Sequence, residues 1–345
     1  MSEPTTSAVL IERLGPPEVL VEREVPLQPL GPDSVQLEVH ASGVNFADLL
    51  QRAGLYGTVP PRPYSPGFEV AGEVVRIGSA VRGWQVGDRA IALLRYGGYA
   101  RDVVVTTSQL FPYPDALTPV QAAAVPVVFL TGWVCLFEAA RARAGETVLV
   151  LGAGGGVGTA AVQLAVQRGL KVIGTAGSSR KREYVMAELG AEACFDSGGA
   201  WEAEVRRRRP EGVDVALDPV GGRATASCRR LLASLGRLVM YGLSDAIPGE
   251  QRNWLKAGLA YLRTPRIHPL SLFERNIGIF GVQLLHLWDK HAVLGPALAE
   301  IYGGVAAGAL KPVIDRTFPL DRDGAVEAHR YLHARRNLGK VVLAV

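Results

Sequence analysis

Short runs in which hydrophobic and polar residues alternate fill the first 125 residues of the chain. Gly and Pro separate these runs, which include VQLEVHASGV (35–44), FEVAGEVVRIG (68–78) and GDRAIALL (87–94). A period of two places every second side chain on one face of a sheet, and Gly and Pro favour turns between strands. This part of the chain is therefore predicted to form a β-rich domain.

From about Pro126 the pattern changes to apolar strands that alternate with segments of helical composition. The predicted strands are TVLVLG (147–152), KVIGTAG (171–177), VDVALDPV (213–220) and RLVMYGL (237–243). The predicted helices between them are AAVQLAVQRG (160–169), REYVMAELG (182–190) and CRRLLASLG (228–236). Such alternation is typical of a parallel sheet with helices on both faces, so the sequence predicts an α/β fold.

Residues 244–272 show no clear period, which predicts a long loop or lid. Four basic and two aromatic residues lie in it: Arg252, Lys256, Arg263, Arg266, Trp254 and Tyr261. The stretch NIGIFGV (276–282) predicts a strand. The predicted elements after it are a helical segment, a strand PVIDRTFPL (312–320), a helix near 321–335 and a strand GKVVLAV (339–345).

Composition and charge favour a folded, cytoplasmic protein. Of the 345 residues, 48% are apolar and 20% charged, which suits two globular domains. A net charge of +4 is too small to favour nucleic acid as a partner. Cys135, Cys194 and Cys228 are widely separated, which predicts free thiols in a reducing compartment. The sequence shows no signal-peptide pattern, and Gln, Pro and Gly interrupt apolar stretches such as 120–136, so no stable membrane insertion is predicted.

The segment GAGGGVG (152–158) lies between a predicted strand and a predicted helix. With Ala153 in the first glycine position, Gly155 and Gly158 give the spacing AxGxxG. Residues without side chains let backbone N–H groups approach a pyrophosphate at the helix N-terminus, and Gly158 lets the helix pack close to the strand. The turn therefore predicts a dinucleotide site formed by Gly154, Gly155, Gly156, Val157 and Gly158. The alternative is a glycine-rich turn without a ligand.

The strand KVIGTAG indicates which dinucleotide is bound. It ends without the Asp or Glu that accepts a hydrogen bond from the ribose 2′-hydroxyl of NAD. Gly177 and Ser178 stand there instead, and Arg180 and Lys181 follow with cations that suit a 2′-phosphate. These residues favour NADPH, with NADH as the alternative cofactor. In the other interpretation, the cations are only the solvated start of a helix.

Asn45 immediately precedes the helical stretch FADLLQRAG, and Asp48 lies three residues further on. This spacing predicts an N-cap residue with an acidic partner in the first helical turn. Tyr56 follows the same stretch, and a tyrosine in this place either packs or donates a hydrogen bond. A free phenol with a pKa near ~10 is a poor acid at neutral pH.

A set of motifs spread over nearly the whole chain resembles one family. The motifs are GVNFADLLQRAGLY (43–56), PGFEVAGEV (66–74), GDRAIAL (87–93), GGYA (97–100), GAGGGVGTAAVQLA (152–165), LDPVGG (217–222) and NLGKVVL (337–343). Together they resemble the zinc-free quinone oxidoreductase branch, similar to zeta-crystallin, of the medium-chain dehydrogenase/reductase superfamily. RTFPL (316–320) and RRNLGKVVL (335–343) are similar to its vesicle amine transport protein branch. They are also similar to bacterial relatives that reduce enones or enoyl thioesters.

The resemblance implies a domain plan and a set of cofactor contacts. It implies a GroES-like catalytic domain formed by 1–127 and 285–345, with a Rossmann NAD(P)-binding domain at 128–284 between its parts. A homodimer through the edge strand near 276–282 is also implied. The implied cofactor contacts are Thr131, Tyr241, Gly242, Gly281 and Asn337. Ordinary structural roles are the alternatives, such as a helix threonine bonded to its own backbone or a glycine in a turn.

The resemblance also implies the catalytic residues, which are Asn45, Asp48 and Tyr56. Asn45 aligns with a polar side chain that the family directs at the nicotinamide and substrate, and Tyr56 with a tyrosine directed into the substrate cleft. Some relatives have a second tyrosine where this chain has Leu50. The identity of the proton donor is therefore open, and water is an alternative.

Zinc alcohol dehydrogenases of the superfamily place a Cys and a His where this chain has Asn45 and Phe68, so no metal is predicted. Without a Lewis acid nothing stabilises the alkoxide that forms in alcohol oxidation. Hydride addition to a conjugated C=C is easier, because the substrate carbonyl delocalises the charge and hydrogen-bond donors support it. The predicted activity is NAD(P)H-dependent reduction of a quinone or enone. Reduction of an enoyl-CoA ester is the alternative, and nucleotide binding without turnover is a second one.

Overall fold

The computed structural model describes residues 4–57, 59–244, 258 and 264–345. Within them the strands are β1 (Thr5–Ile11), β2 (Leu20–Pro26), β3 (Ser34–Val44), β4 (Glu69–Ile77), β5 (Arg89–Leu93), β6 (Asp102–Thr106), β7 (Leu110–Pro112), β8 (Thr147–Val150), β9 (Lys171–Ala176), β10 (Ala193–Asp196), β11 (Val213–Asp218), β12 (Leu232–Met240), β13 (Gly278–Gly281), β14 (Ile314–Pro319) and β15 (Lys340–Ala344). The α-helices are α1 (Phe46–Ala53), α2 (Pro119–Ala123), α3 (Pro126–Trp133), α4 (Gly156–Gln167), α5 (Ser179–Ala187), α6 (Trp201–Arg208), α7 (Arg223–Leu231), α8 (Pro269–Phe273), α9 (His291–Ala306) and α10 (Arg322–His333).

The described chain divides into two compact units. The GroES-like unit contains residues 4–127 and 288–345, and the Rossmann unit contains 128–244, 258 and 264–287. The first unit is thus built from two separate stretches of chain.

The main sheet of the GroES-like unit has the strand order β14-β15-β3-β4-β5-β7, and β6 also pairs with β3. β15 pairs antiparallel with β3, so the two stretches of chain meet inside one sheet. Val35, Leu37, Val70, Val341 and Leu343 are fully buried in a common core. This core joins the two stretches of the unit by apolar burial, the main driving force for folding.

The Rossmann unit contains a parallel sheet with the order β10-β9-β8-β11-β12-β13. The chain moves outward from β8 through β9 to β10, then returns to β11 and moves outward on the other side. This reversal is the topological switch point of a doubly wound α/β sheet. The predicted fold class, a GroES-like domain with a Rossmann domain, is confirmed.

The prediction of a helix over CRRLLASLG (228–236) is wrong from residue 232 onward, because α7 ends at Leu231 and β12 begins at Leu232. Leu235 has a φ of 65° and is 75% exposed. A leucine with positive φ cannot continue a right-handed helix. The ladder between β11 and β12 shifts register in this region, as expected for a bulge.

The predicted loop at 244–272 is described only in part. Arg252, Trp254, Lys256, Tyr261 and Arg263 lie outside the described residues. The short helix α8 corrects the prediction for the end of the segment. His268 caps α8 by accepting a hydrogen bond from the Leu270 N–H at 3.3 Å, and Pro269 provides its first residue.

One helical stretch of the described chain, Pro119–Ala139, is long and apolar enough by composition to cross a membrane. The expectation that this stretch is too short is wrong, but it is interrupted as expected, since α2 ends at Ala123 and α3 begins at Pro126. However, 78% of its most apolar window is buried inside the protein. The core helix of a globular protein meets the same criteria, so the stretch is weak evidence for a membrane span.

Candidate active site

The turn between β8 and α4 is lined by backbone rather than by side chains. A Cβ atom added to Gly158 would lie 2.2 Å from the Gly152 carbonyl oxygen and 2.7 Å from the Ala153 Cα. A side chain there would push α4 away from the turn. Gly158 therefore permits the close packing of helix and strand that the sequence predicts for it.

The first turn of α4 presents backbone N–H groups. Its N-cap residue is Gly155, which has no side chain with which to cap them. Gly156, Val157 and Gly158 occupy this turn, where helix geometry leaves N–H groups without partners inside the helix. These groups, at the positive end of the helix dipole, form an environment that suits a phosphate.

Lys181 lies across the glycine turn. A Cβ atom added to Gly154 would lie 3.0 Å from both Cβ and Cδ of Lys181. Lys181 belongs to the first turn of α5, and its N–H donates to the Oγ of the N-cap residue Ser178 at 3.4 Å. Gly177 precedes Ser178, and Arg180 follows in the same helical turn. The structure thus brings together the glycine turn and the start of α5.

Three further predicted cofactor residues lie at the same edge of the Rossmann sheet. Tyr241 and Gly242 follow β12, and the Tyr241 N–H donates to the Asp218 carbonyl at 3.0 Å. A Cβ atom added to Gly242 would lie 2.8 Å from the Pro219 carbonyl oxygen. Gly281 ends β13. Because the strands are parallel, their carboxyl ends share one edge, which is where doubly wound sheets bind ligands.

A buried cluster of charged and polar side chains surrounds Glu69 in the GroES-like unit. The Lys340 Nζ atom lies 2.6 Å from Glu69 Oε1 and 2.5 Å from Asn45 Oδ1. Asn45 Nδ2 donates to Glu69 Oε1 at 2.9 Å, and the Val127 N–H donates to Glu69 Oε2 at 2.7 Å. The exposed fractions are 0% for Glu69, 3% for Lys340 and 7% for Asn45. The ammonium thus offsets a carboxylate that has no access to water. We call these three side chains the Glu69 cluster.

Asn45 is the N-cap residue of α1, as predicted, but its own side chain makes no cap bond. The cap comes from Asp48, whose Oδ2 accepts a hydrogen bond from the Asn45 N–H at 2.7 Å. The Asn45 amide is directed into the Glu69 cluster instead. The N-cap position and a second role for the side chain therefore coexist.

Asp48 belongs to a second buried network. Its carboxylate also accepts hydrogen bonds from the Gly67 N–H at 3.2 Å and the Tyr99 hydroxyl at 3.1 Å. Burial raises the pKa of Asp48 to about 7. The His329 Nε2 atom lies 3.2 Å from the Tyr99 hydroxyl, and burial lowers the pKa of His329 well below its usual value. Asp48 is 0% exposed, so it lacks a surface for direct contact with a ligand.

Arg52 and His333 form a close contact in the same unit. An Arg52 guanidinium nitrogen lies 2.6 Å from His333 Nε2, and another donates to the Gly15 carbonyl at 3.0 Å. Since a guanidinium can only donate, His333 accepts through Nε2 and is neutral. Burial and the neighbouring guanidinium lower the pKa of His333 to about 4.

The other predicted residues have these places in the fold. Tyr56 is half-buried, with its ring centroid 5.9 Å from that of Phe68. Asn337 donates to the Gly339 carbonyl at 2.7 Å in the turn before β15. Thr131 is buried in α3. Their roles toward a cofactor or substrate stay predictions.

Sequence reasoning assigned no role to Glu69, Lys340, Tyr99 or His329. Lys340 and Tyr99 lie within quoted motifs, NLGKVVL and GGYA, but their residue types suggest no partner. Gly43 provides a signal in retrospect. A Cβ atom added there would lie 2.4 Å from Glu69 Oε1, so the glycine in GVN makes room for the Glu69 cluster.

Two family models match the chain. The alcohol dehydrogenase GroES-like domain matches residues 31–115, and a model described as a zinc-binding dehydrogenase matches residues 189–343. The two matches lie in the GroES-like fold and in the Rossmann unit with the strands that follow it.

Curated relatives match most of the chain. The synaptic vesicle membrane protein VAT-1 homolog of Rattus norvegicus is 35% identical over 315 residues, which cover 91% of this chain and 77% of the relative. The quinone oxidoreductase of Rattus norvegicus is 31% identical over 341 residues, which cover 97% of each chain.

Solved structures agree with these matches. A quinone oxidoreductase from Pseudomonas syringae has a TM-score of 0.86 at 27% identity, covering 99% of this chain and 100% of that one. A mycobacterial protein complexed with NADPH has a TM-score of 0.85 at 26% identity, with coverage of 99% and 100%. The CurK enoyl reductase has a TM-score of 0.82 at 27% identity, with coverage of 98% and 99%.

The doubly wound sheet, the glycine turn and these relatives define an NAD(P)H-dependent oxidoreductase. More specifically, the chain belongs to the medium-chain dehydrogenase/reductase superfamily, close to the VAT-1 homologues and the quinone oxidoreductases. The predicted resemblance is confirmed.

The residues at the zinc position of this superfamily do not fit a metal ion. Asn45 and Glu69 hold the ammonium of Lys340, and a bound cation repels a second one. Phe68, at the histidine position, offers no ligand atom. Across the described part of the chain, no group of three or more His, Cys, Asp or Glu side chains is arranged to hold a metal.

Because His333 is neutral in the folded protein, the free energy of unfolding is expected to depend on pH. Its pKa is about 4 in the folded protein and ~6.5 in the unfolded chain, so between these values only the unfolded state binds the proton. Stability from this group is therefore lost as the pH falls from 6.5 to 4. His333→Gln keeps an acceptor for Arg52 but does not titrate. We expect the stability advantage of the wild type over this variant to shrink across that window, measured by urea unfolding at several pH values. Parallel stability curves would contradict the assignment.

Proposed function

We propose that this protein reduces quinones or enones with hydride from NAD(P)H, without a metal. The observation that carries the proposal is the glycine turn, in which Gly158 lies against the Gly152 carbonyl and leaves the N–H groups of α4 available for a diphosphate. The similarity to quinone oxidoreductases supports the acceptor class.

In this proposal, backbone groups hold the cofactor and side chains polarise the acceptor. NADPH, when bound, supplies the hydride that adds to the electron-poor carbon of the acceptor. Residues 154–158 would hold its diphosphate through backbone N–H groups. The half-buried Tyr56 hydroxyl would donate a hydrogen bond to the acceptor's carbonyl oxygen, where negative charge develops. The product's proton would then come from Tyr56 or from water.

Two alternatives concern the acceptor and turnover. An enoyl-CoA ester carries the same conjugated carbonyl, and the similarity to an enoyl reductase supports it. The basic and aromatic residues at 252–263, which would favour an adenine-bearing thioester, lie outside the described residues. Nucleotide binding without turnover is the second alternative, because the VAT-1 homologues are named for a vesicle membrane and not for a reaction.

A panel of acceptors separates these functions. We expect NADPH absorbance at 340 nm to fall with a quinone or an enone, and to fall more slowly with a short enoyl-CoA. The physical reason is that a quinone or enone needs contacts only at its activated double bond and conjugated carbonyl. Faster turnover of the enoyl-CoA would select the first alternative. Tight NADPH binding without oxidation by any acceptor would select the second.

We propose NADPH as the preferred cofactor. Lys181 lies across the glycine turn, and Ser178 and Arg180 occupy the first turn of the same helix. No Asp or Glu occurs from residue 177 to 182, so no carboxylate there repels a 2′-phosphate. Charge-assisted hydrogen bonds from cations to phosphate are stronger than neutral ones.

Removal of the Lys181 cation tests this preference. We expect Lys181→Ala to weaken NADPH binding by about tenfold or more while changing NADH affinity less than threefold, since a hydrogen bond to a charged group contributes roughly 1.5–3 kcal/mol. Quenching of tryptophan fluorescence measures both affinities. Lys171→Ala is the matched control, because Lys171 is an exposed lysine at the opposite end of β9. An equal loss for both cofactors would refute the 2′-phosphate assignment.

We also propose a homodimer formed through β13. Among the described residues, β13 is an edge strand that pairs only with β12, and its Phe280 is 43% exposed. The Val282 N–H donates to the Met240 carbonyl, so by strand alternation the N–H groups of Ile279 and Gly281 point away from β12. These outward groups would pair with a second copy of the chain.

We place the protein in the cytoplasm, which the three buried free thiols support.

Ile279→Pro removes one outward N–H group and leaves the hydrogen bonds to β12 in place. We expect the variant to sediment as a monomer under conditions in which the wild type sediments as a dimer. A melting curve of the variant that stays cooperative serves as the folding control. A monomeric wild type, or a folded variant that remains dimeric, would contradict the proposed interface.

A further inference from the structure

The buried ammonium of Lys340 does more than balance the charge of Glu69. Transfer of an ion pair from water to a protein interior is costly, and a well-packed apolar pair of similar volume is often as stable. The Glu69 cluster is therefore poorly explained as a source of stability. Its distinguishing property is that the same ammonium contacts a third group, the Asn45 amide oxygen, at 2.5 Å.

The hydrogen bonds of the Glu69 cluster fix which way the Asn45 amide faces. An ammonium has only donors, so the atom that meets Lys340 must be the oxygen. The amide nitrogen then faces Glu69 Oε1 at 2.9 Å and the Gly43 carbonyl at 3.3 Å. A flipped amide would place its NH₂ group against the ammonium and its oxygen against the carboxylate. Both contacts would be repulsive.

The hydrogen bonds within the Glu69 cluster also limit which donors and acceptors of the Asn45 side chain are available to a ligand. Its two N–H donors are already used by Glu69 and Gly43. Its oxygen has two lone pairs, of which Lys340 uses one. Asn45 can therefore accept a hydrogen bond from a ligand, but it has no free donor. A carboxamide N–H or a hydroxyl fits this site, whereas a carbonyl oxygen or a developing enolate does not.

The cluster is also tightly enclosed. A Cβ atom on Gly43 would lie 2.4 Å from Glu69 Oε1 and 2.6 Å from the Ala123 carbonyl oxygen. The second carboxylate oxygen of Glu69 is held by the Val127 N–H at 2.7 Å. Glu69 cannot turn away from Asn45 without losing these contacts.

Building on the proposed reductase function, we propose that Lys340 is a positioning residue that fixes Asn45 as a hydrogen-bond acceptor. The group it accepts from is an N–H or O–H of a bound ligand. The negative charge that develops on the acceptor's oxygen is then stabilised by another donor, not by Asn45.

A double variant tests the proposal without leaving an unpaired buried charge. Glu69→Gln combined with Lys340→Met removes both charges and is expected to fold, because loss of Lys340 alone would strand a carboxylate. Two readouts are used. The first is kcat and KM with the acceptor that gives the fastest wild-type turnover. The second needs no activity: hydrogen exchange of the Asn45 side-chain NH₂ group, followed by nitrogen-15 NMR and assigned by its loss in Asn45→Ala.

We expect slow exchange of the Asn45 NH₂ protons in the wild type and at least tenfold faster exchange in the folded double variant. We also expect kcat to fall at least tenfold while KM for the acceptor changes less than threefold, because small misplacements of a positioning contact are costly for rate. Lys171→Met is the matched control, an exposed lysine that likewise begins a strand. It should change neither readout.

Fast exchange in the wild type, or unchanged exchange in the double variant, would overturn the proposal. Faster exchange with an unchanged kcat would also overturn it, because Asn45 would then be oriented without consequence for the reaction. If none of the tested acceptors supports NADPH oxidation by the wild type, the proposed function fails on its own. The exchange measurement then still decides whether Lys340 orients Asn45.

Discussion

The carboxylate of Glu69 constrains the polar groups around it, because it is buried at 0% exposure and receives donors from three parts of the fold. Lys340 comes from the start of β15, Asn45 from the junction of β3 and α1, and the Val127 N–H from the start of α3. An unpaired carboxylate in this place would be strongly destabilising. Lys340 and Asn45 are therefore held together at one buried charge.

This arrangement changes how the absence of metal ligands is understood. At the positions of the superfamily's zinc ligands this chain has Asn45 and Phe68, and the Asn45 oxygen accepts a hydrogen bond from the Lys340 ammonium. An ammonium ion cannot accept an electron pair from a substrate oxygen. The Lys340 ammonium therefore orders the polar groups around it without acting as a Lewis acid. Stabilisation of charge on the acceptor must then come from hydrogen-bond donors. This requirement agrees with reduction of a substrate that delocalises its own charge.

The parts of the fold that follow from local pattern were predictable. The strand, turn and helix around Gly158 lie together within residues 147–167, so the glycine turn could be located from its motif. The error at residues 232–236 has a tertiary cause. LASLG has helical composition, but pairing with β11 draws it into a strand with a bulge at Leu235. Propensity is a weak guide where pairing with a sheet competes for the same residues.

The Glu69 cluster could not be predicted, because its members are far apart in sequence. Lys340 and Asn45 are separated by 295 residues, and only the pairing of β15 with β3 brings them together. A lysine before an apolar strand looks like a solvent-exposed terminus, and an asparagine before a helix looks like an N-cap. The latter is correct for the backbone of Asn45 and incomplete for its side chain.

The strand order of the GroES-like sheet also has a consequence for biosynthesis. β15 occupies an interior place in that sheet, yet in the chain it follows all of the Rossmann unit. A ribosome therefore releases every strand of the Rossmann unit before the GroES-like sheet can close. Until β15 emerges, the carboxylate of Glu69 lacks its counter-ion and one edge of β3 is open. During that interval the unfinished sheet exposes an unpaired strand edge, a feature that makes incomplete chains prone to aggregation.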